Sequence, residues 1–373
     1  MTKTRTFFKG LQTMSLALAI CSIFFQCADQ EILPIRPNPH PPLKDSVATE
    51  KIDSAALLPV ECKECTYVVP AGVKVIDGIA LHLKPGSIIG LSSAIRYRSL
   101  EFHNIVGTKE KPIIIKNCGG TANITADDPW HAIKTQDSKY FRITGGSVEG
   151  VYGIKVQGGE MGLKLDGFST NFEIDHVEVS NATFAGVMAK TDPTCDNATL
   201  RGNFTMYDVL IHDNYVHHTG GEGFYIGNSF WDGMNLGCGK RLPHEIKGLK
   251  VYNNVVSNTG WEGIQVGCAI SGTEIYNNTV KNYGTANIPH QNNGVQIGSG
   301  TGGVFRDNLI KKGTGNGLIV MGTGDNMIYN NIIVDAGENG IFCDERYTPG
   351  EGFKFINNTI LNPKNDGIRL YAE

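Results

Sequence analysis

The sequence predicts an all-β repeat fold, a solenoid built from short parallel strands, and three observations support this. A glycine followed by an apolar or aromatic residue opens a short run eight times, and the plain repeat is 23 residues, as from Gly317 to Gly340. An asparagine precedes five of these glycines by nine residues. Each run carries Val, Ile, Tyr or Phe between Gly and Asn, which is typical of strands. The eight glycines are Gly153, Gly186, Gly223, Gly263, Gly294, Gly317, Gly340 and Gly367.

The density of Asn and Gly excludes helical repeats, and the leucine framework of leucine-rich repeats is absent. A parallel β-helix remains, in which successive coils stack about 4.8 Å apart. In "GIQVG" the alternation sends Ile264 and Val266 into the core and Gln265 outward. The recurring asparagines, of which Asn254 is one, are expected to adopt the left-handed conformation at a corner and to hydrogen-bond to one another along the stack. The repeating glycines are expected to turn the next corner.

The segments "YNNVVSNTGWEGIQVG", "YNNIIVDAGENGIFCD" and "INNTILNPKNDGIRLY", with "VPAGVKVIDGIALHLKPGSIIGL" near the start, resemble the right-handed parallel β-helix superfamily from about residue 75 to the end. The resemblance implies a single-stranded right-handed coil, and the repeat length gives about ten coils. The superfamily includes pectate, alginate and chondroitin lyases, polygalacturonases, epimerases and surface proteins without known activity. It implies a polysaccharide groove on the face that follows the repeating glycines.

The N-terminus resembles a bacterial lipoprotein signal peptide over residues 1–26, with basic "MTKTRTFFKG", apolar "LQTMSLALAICSIFF" and then "QCADQE". On this interpretation Cys27 is the lipidated first residue of the mature chain. Residues 27–59 are rich in proline and predict an extended tether, and residues 60–373 form the β-helix domain. We therefore expect an exported protein, held at the outer membrane or cell surface by lipid or released outside the cell.

Charge and cysteine content restrict the partners. The formal net charge is −4, which does not favour nucleic acid or an acidic membrane surface, so membrane contact is expected only through the lipid. Seven cysteines follow Cys27, an odd number in a chain expected to oxidise. The "CKEC" of Cys62 and Cys65 has no second pair at ligand spacing, so a local disulfide or two thiols is expected there in preference to a metal site.

Three insertions interrupt the repeat on consecutive coils, at residues 190–203, 227–245 and 283–292. Loops on a rigid scaffold often carry recognition, so the three are expected to wall one site. Cys195 and Cys238 lie one in each of the first two insertions, and stacked coils predict a disulfide between them.

Two carboxylates lie between these walls. Glu222 and Glu262 each precede a repeating glycine and are expected to stack one strand spacing apart. Such a pair either binds a cation such as Ca²⁺ or shares a proton, which raises one pKa. The same corner position is Asn or Asp in other coils, as at Asn293 and Asp366, so a polar corner without catalytic function is the competing interpretation.

The outward residues that follow the glycines are expected to form the floor of the groove, from Lys155 through Tyr225 to Arg369. A lyase needs a base, for which Tyr225 is best placed, and His217 is a further candidate. The predicted catalytic residues are Tyr225, Glu222, Glu262, Lys190 and His244. The predicted substrate-binding residues are Gln265, Gln296, Trp231, Lys240, Arg241 and His290.

The function expected from the resemblance and the walled groove is recognition of an acidic, uronate-containing polysaccharide and its cleavage by β-elimination. A non-catalytic glycan-binding or adhesive surface protein is the alternative. Uronate epimerisation and glycoside hydrolysis on the same fold are further alternatives. Calcium is the one cofactor expected, and the oligomeric state is not predicted.

Overall fold

The computed structural model describes residues 62–146, 149–323, 325–344 and 352–371. The predicted signal peptide, the lipidation of Cys27 and the proline-rich tether fall on residues 1–61, outside the described residues. Among the residues described, no helix is long and apolar enough to cross a bilayer.

Three long parallel sheets form the faces of a coil that the chain follows repeatedly, in the order sheet 1, sheet 2, sheet 3. Sheet 1 contains Tyr67–Val68, Ile88–Ser92, Ile113–Cys118, Lys139–Thr144, Thr170–Asp175, Val209–His212, Lys250–Tyr252, Thr273–Tyr276, Gly303–Arg306, Met327–Tyr329 and Lys354–Ile356. Sheet 2 contains Arg96–Tyr97, Ala122–Thr125, Ile154–Gln157, Val177–Ser180, Tyr215–Thr219, Val255–Thr259, Thr279–Lys281, Leu309–Lys311, Ile332–Val334 and Thr359–Leu361. Sheet 3 contains Val75–Asp77, Leu100–His103, His131–Gln136, Met161–Leu165, Val187–Ala189, Phe224–Ile226, Ile264–Val266, Val295–Ile297, Leu318–Val320, Ile341–Asp344 and Ile368–Tyr371.

These sheets confirm the predicted right-handed parallel β-helix, and ten or eleven strands per sheet match the predicted number of coils. One continuous apolar core runs along the inside, and the predicted alternation holds because Ile264 and Val266 are fully buried within it. Phe224 and Phe305 fill the same core from sheets 3 and 1.

The corner between sheets 1 and 2 carries the predicted asparagine ladder. Asn278 is fully buried, and its Nδ2 donates to Asn308 Oδ1 at 3.0 Å and to Val251 O at 2.9 Å. Its Oδ1 accepts from the backbone N–H and the Nδ2 of Asn254, each at 3.0 Å. The same pattern joins neighbouring rungs from Asn214 onward, so the ladder satisfies buried backbone groups along the stack.

The left-handed conformation was predicted for the wrong residue of each pair. Asn253 and Asn277, each one position before a ladder asparagine, have φ of 56° and 54°. The first asparagine of "NN" therefore turns the chain and the second builds the ladder, because αL backbone and an inward amide are separate requirements.

The repeating glycines are needed for space and not for conformation. Gly263 does not have positive φ, but a Cβ there would overlap Val280 Cγ1 and lie 2.7 Å from Gly294 O. Gly223 is similarly confined, with a Cβ position 2.5 Å from Gly263 O and 2.5 Å from Val256 Cγ1. The glycines therefore allow sheets 2 and 3 to meet closely, which corrects the expected corner role.

One of the eight glycines was placed on the wrong face. Gly153 precedes the sheet 2 strand Ile154–Gln157, so Lys155 pairs with Glu178 on sheet 2 and does not join the groove floor. The strand of sheet 3 in that coil is Met161–Leu165, in which Lys164 pairs with Met188. This sheet 2 strand was mistaken for a sheet 3 strand because it also follows a glycine and begins with isoleucine.

The first two insertions pack on each other beside sheet 3. They contain the 3₁₀ helix Asn197–Thr199, an antiparallel pair Met234–Leu236 with Gly239–Arg241, and part of a small sheet of Thr205–Tyr207, Glu245–Lys247 and Ala269–Ser271. A disulfide joins Cys195 to Cys238, the pairing expected from their loop positions. Arg241 donates to Cys195 O at 3.1 Å and to Asn197 Oδ1 at 2.6 Å, which holds the loops together as well.

Replacing both loop cysteines should loosen this wall. We expect Cys195→Ser with Cys238→Ser to lower the free energy of unfolding by about 2–4 kcal/mol, since the bond closes a long segment of the unfolded chain. Urea unfolding followed by circular dichroism measures this, with Cys118→Ser as the control because Cys118 is a buried thiol on sheet 1, outside the two loops. An unchanged midpoint would show that Arg241 and the packing alone hold the wall.

Candidate functional site

The outer face of sheet 3 forms the floor of a groove. Its strands are in direct register, so outward side chains align along the solenoid axis at about 4.8 Å per coil. The aligned residues are Met188, Tyr225, Gln265, Gln296, Ile319, Phe342 and Arg369.

The insertions border this floor on opposite sides. Residues 190–203 and 227–245 follow strands of sheet 3, whereas residues 283–292 precede one. The third insertion contributes His290 and Asn292 to a cavity of about 420 Å³, whose lining also includes the floor residues Ile319 and Phe342. The structure therefore brings the three insertions around one face, as the sequence predicted.

Lys190 and Tyr225 meet at the end of the floor beside the first two insertions. The Lys190 Nζ lies 4.5 Å from the centroid of the Tyr225 ring and donates to Asp192 Oδ1 at 2.7 Å. The Tyr225 hydroxyl lies 3.2 Å from Ser229 Oγ. Phe184 packs edge-on against Tyr225, with ring centroids 6.1 Å apart. The cation, the phenol and the serine hydroxyl, called here the Tyr225 pocket, lie together beside the buried apolar residues Met161 and Met188, and Lys190 and Tyr225 are each 8% exposed.

Glu222 and Glu262 occupy adjacent coils next to this pocket. The backbone N–H of Gly223 donates to Glu262 O at 2.9 Å, and Phe224 pairs with Ile264, so the two glutamates lie one strand spacing apart. Their exposed fractions are 2% and 0%. Both are thus far more buried than expected for groove residues.

Burial raises the pKa of Glu222 to about 7, an effect opposed by its own backbone N–H and by the charge of Lys190. Burial and, to a smaller extent, the neighbouring carboxylate of Glu222 raise the pKa of Glu262 to about 8, although hydrogen bonds from its own backbone N–H and from Asn293 oppose this. The Oε2 atom of each is buried without a hydrogen-bond partner. A proton on either carboxyl gives it a hydrogen to donate, and burial alone is enough to hold a proton on a carboxyl near neutral pH.

A second amide ladder leads to this pair. Asn339 Nδ2 donates to Asn316 Oδ1 at 2.8 Å, Asn316 Nδ2 donates to Asn293 Oδ1 at 2.9 Å, and Asn293 Nδ2 donates to Glu262 Oε1 at 3.1 Å. Each amide points its donor toward the glutamates, so Glu262 takes the place that another asparagine would fill. The competing interpretation of a polar corner is therefore correct for the asparagines, and the two glutamates differ from them by their unpartnered oxygens.

The raised pKa values predict that stability falls as pH rises. An unfolded glutamate loses its proton near its ordinary pKa of 4.5, while the folded pair holds protons up to about pH 7 and 8. The folded state therefore binds more protons between these values, and the free energy of unfolding should fall by about 1.4 kcal/mol per pH unit for each group. Below pH 4.5 both states are protonated and the full stability is present.

Chemical denaturation from pH 4 to 9 tests this, with Glu262→Gln as the comparison because the amide mimics a protonated carboxyl. The variant should lose much of the slope between pH 5 and 8. Parallel pH profiles for the two proteins would contradict the protonated pair.

The donor set near the pair fits a shared proton better than calcium. Calcium takes six to eight oxygens, whereas Asn293 Oδ1 is already an acceptor and the residues described offer no third Asp, Glu, His or Cys that groups with Glu222 and Glu262. Calcium at Glu222 and Glu262 thus stays a proposal that the assay below tests.

Gln265 and Gln296 point away from the core as predicted but are nearly covered. Their exposed fractions are 3% and 6%, and Gln296 Nε2 donates to Gln265 Oε1 at 3.2 Å. They lie at the bottom of the groove between the Tyr225 pocket and the cavity at Ile319. Their remaining amide hydrogens are the donors that a bound ligand would meet there.

His244 does not join the site. It is fully buried, its Nδ1 contacts Glu245 O at 3.0 Å, and its Nε2 accepts from the backbone N–H of Thr191 at 3.0 Å. Burial lowers its pKa. The sequence placed it in a wall, but it is a packing residue beneath the loops, with Phe204 against its ring. No ring nitrogen remains for a substrate.

Trp231 and Arg241 also serve the loops. The Arg201 guanidinium covers the Trp231 ring at 3.4 Å from its centroid, and Arg201 donates to Trp231 O at 2.6 Å. Gly300 packs against the same ring. Arg241 is held by carbonyl oxygens of the neighbouring loop, as described above. These contacts correct the prediction of both as substrate-binding residues, because the groups that would face a sugar are already occupied.

Lys240 and His290 keep exposed side chains. Lys240 lies in the antiparallel pair of the second insertion, and His290 lines the cavity near Ile319. His217 lies on sheet 2, where it contacts His218 Nδ1 at 2.7 Å, away from the groove.

The sequence did not indicate Ser229 and Asn293 as site residues. Ser229 lies two residues before Trp231 in the second insertion, but a lone serine in a loop gives no signal. Asn293 was assigned to the corner, and only the direction of its amide reveals that it contacts Glu262. Arg369 was identified as outward-facing, and the structure places it in the lining of the cavity.

A second polar cluster on sheet 1 is an ion-pair network. One ligand atom each from Glu173, Asp175 and His212 lies within 4.8 Å of the others. Arg142 Nε lies 2.7 Å from Asp175 Oδ1 and 3.2 Å from Glu173 Oε1. Burial lowers the pKa of His212, but hydrogen bonds to Asp213 and Glu173 outweigh this and raise it to about 9. Two cations thus already neutralise these carboxylates.

Several known proteins are similar to this chain in sequence or in fold. Residues 231–373 match the family described as the right handed beta helix region, and no curated protein sequence matches the chain. An alginate lyase from Paenibacillus sp. str. FPU-7 is similar at 17% identity and a TM-score of 0.42, over 83% of this chain and 100% of that one. The pectate lyase Pel9A is similar at 11% identity and a TM-score of 0.49, over 79% and 78%.

Tailspike protein 2 of bacteriophage CBA120 is similar at 9% identity and a TM-score of 0.44, over 76% of this chain and 43% of that one. Identities this low concern the fold and carry no activity to this chain. The stacked parallel sheets and the family match together show that the chain is a right-handed parallel β-helix protein.

Proposed function

We propose that this protein binds an acidic polysaccharide in the groove on sheet 3 and cleaves it by β-elimination. One observation carries the proposal: Lys190 Nζ lies over the Tyr225 ring beside a buried carboxyl pair, at the bottom of a walled groove. Structural ladders do not need a cation and a phenol placed together. A site for removing a proton next to a carboxylate needs a base and a group that neutralises the carboxylate, and Tyr225 and Lys190 can supply them.

The chemistry follows from the groups present. Tyr225 acts as the phenolate, formed when its hydroxyl proton passes to solvent, and takes the proton beside the uronate carboxylate. A double bond forms as the bond to the neighbouring glycosidic oxygen breaks, and Tyr225 returns the proton to that oxygen. Negative charge builds on the carboxylate in this step, so donors directed at it stabilise the transition state. Lys190 Nζ and the amide of Gln265 are the donors closest in register to Tyr225.

The carboxyl pair contributes by staying protonated. A carboxyl with a pKa near 7 or 8 donates a hydrogen bond to an anion, whereas an ionised one would repel it. The charge of Lys190 acts on Glu222. Because the two glutamates stay protonated, they add no negative charge to the pocket near neutral pH. An anionic sugar therefore meets the positive charge of Lys190, which forms an ion pair with the exposed carboxylate of Asp192.

Glycoside hydrolysis is the second candidate, and the same pair favours it. Two carboxyls one strand spacing apart approach the separation of about 5–5.5 Å used in retaining hydrolysis. One with a raised pKa serves as the acid and the other as nucleophile. Their burial opposes hydrolysis, because the sugar must contact both carboxyls, which are 2% and 0% exposed, whereas Tyr225 and Lys190 are each 8% exposed.

The cavity near Ile319 supports binding as a separate property. Its lining combines amides such as Asn293 with Phe342 and the cation Arg369, a combination that suits a sugar chain with acidic groups. A glycan-binding surface protein would use the cavity alone. Export to the cell surface, with or without a lipid anchor at Cys27, is part of this proposal.

The test incubates residues 28–373 with a panel of uronate-containing polysaccharides, with and without Ca²⁺ and a chelator. Ultraviolet absorbance reports the unsaturated sugar that elimination leaves, and new reducing ends report any cleavage. Absorbance that rises on one substrate supports the lyase. Loss of that absorbance on chelation would support calcium as its cofactor. New ends without absorbance would favour hydrolysis, and neither signal, with binding retained, would favour the surface protein.

A further inference from the structure

Three sulfur atoms meet at the first coils, far along the chain from the groove. Cys62 and Cys65 form a disulfide within "CKEC", and the backbone N–H of Cys65 donates to Cys62 O at 2.9 Å, which closes a tight turn. Cys118, at the end of the sheet 1 strand Ile113–Cys118, is a buried thiol. All three sulfurs lie within 4.8 Å of one another. The structure thus supplies a third sulfur that spacing alone does not reveal.

Gly90 shows that the arrangement depends on space. It lies on the strand Ile88–Ser92. This strand pairs on one side with Tyr67–Val68, which follows Cys65 along the chain, and on the other side with Ile113–Cys118. A Cβ on Gly90 would lie 2.5 Å from Cys65 Sγ, 3.2 Å from Cys118 Sγ and 3.3 Å from Cys62 Sγ. Gly90 does not have positive φ, so backbone conformation does not require glycine here. The three sulfurs converge on the position where a side chain would otherwise stand.

We propose that these sulfurs form a site for a thiophilic cation of the Zn²⁺ or Cu⁺ kind when the Cys62–Cys65 disulfide is reduced. Two ligands two residues apart on a turn, plus a third from a neighbouring strand, match the way thiolate metal sites are built. Cys62 and Cys65 are partly exposed, which leaves an approach for the ion and an open position for a fourth ligand.

The disulfide and the metal are alternative states of the same atoms. A dithiol reductant converts the Cys62–Cys65 bond to two thiols and is itself oxidised to a disulfide. Binding of the cation then releases the thiol protons, and Cys118 adds the third sulfur. The site is therefore closed in the oxidised chain, where Cys118 is the one thiol among its three sulfurs.

The experiment titrates Cd²⁺ into the reduced chain, residues 28–373, and follows the thiolate-to-metal charge-transfer absorption. One equivalent should bind, and Cys118→Ser should weaken binding about tenfold or more. Gly90→Ala should weaken it as well by crowding the sulfurs. Cys238→Ser is the matched control, because Cys238 is also freed by the reductant but lies in the second insertion.

Far-ultraviolet circular dichroism establishes that each variant remains folded. Absorption that is the same in Cys118→Ser and the wild type would overturn the three-sulfur site. So would a reduced wild type that shows no charge-transfer absorption, or a signal lost only in Cys238→Ser. Loss in Cys118→Ser and Gly90→Ala, with Cys238→Ser unchanged, is the result the site requires.

Discussion

Tyr225→Phe should lower kcat/KM on the acidic polysaccharide by about 10²–10⁴-fold, the range that a positioned acid or base supplies. The substitution removes only the hydroxyl. The ring remains for the cation contact with Lys190, and the hydroxyl has one contact, with Ser229 Oγ at 3.2 Å. The fold should therefore persist, and the dissociation constant for the polysaccharide should stay within about twofold because binding uses the rest of the groove.

The matched control is Tyr215→Phe. Its hydroxyl lies 3.3 Å from Ser257 Oγ on sheet 2, which reproduces the tyrosine–serine contact on a face without the groove. Initial rates should be those of the wild type. A Tyr225→Phe protein with full activity would remove the base from the proposed mechanism, and equal losses in both variants would point to a general effect on folding.

The second large effect concerns stability. Asn278→Ala should lower the free energy of unfolding by roughly 2–6 kcal/mol, from about 1–3 kcal/mol for each buried group left without a partner. The backbone N–H of Asn254 loses its acceptor, and the carbonyl of Val251 loses its donor. Since coils contact only their neighbours, a gap in the ladder is not compensated elsewhere.

Asn282→Gly provides the comparison for this prediction. Asn282 has φ of 53°, which glycine adopts freely, and its amide reaches Asn258 Oδ1 at 3.1 Å in a partly exposed pair. We expect a change of about 1 kcal/mol or less there. Urea unfolding of both proteins measures the difference, and a similar small shift in each would mean that the buried ladder contributes little.

The sequence predicted the fold closely because the repeat is short and each coil repeats the same physical requirements. Buried Ile264 and outward Gln265 follow from period-two alternation, and the ladder of Asn254 follows from its spacing. The exact division of roles within "NN" did not follow, since both asparagines suit both conformations. Gly153 was assigned to the wrong sheet because a glycine followed by an apolar residue begins strands on two sheets.

The site was predicted less completely, for a different reason. Spacing along the chain placed Glu222, Glu262, Lys190 and Tyr225 near one another, because their strands stack in register. Loop residues have no such rule. His244 was expected to face a substrate and is buried with both nitrogens bonded, which depends on how two insertions fold over each other.

Cleavage by elimination in this groove can be distinguished from hydrolysis by product analysis in water enriched in the heavy oxygen isotope. Mass spectrometry of the oligosaccharides released by the chain of residues 28–373 should show unsaturated ends without the heavy isotope, because elimination adds no water. Products without unsaturated ends, labelled at their new reducing ends faster than such ends exchange oxygen with water, would identify hydrolysis. A chain that binds the polysaccharide but releases no product would contradict cleavage itself.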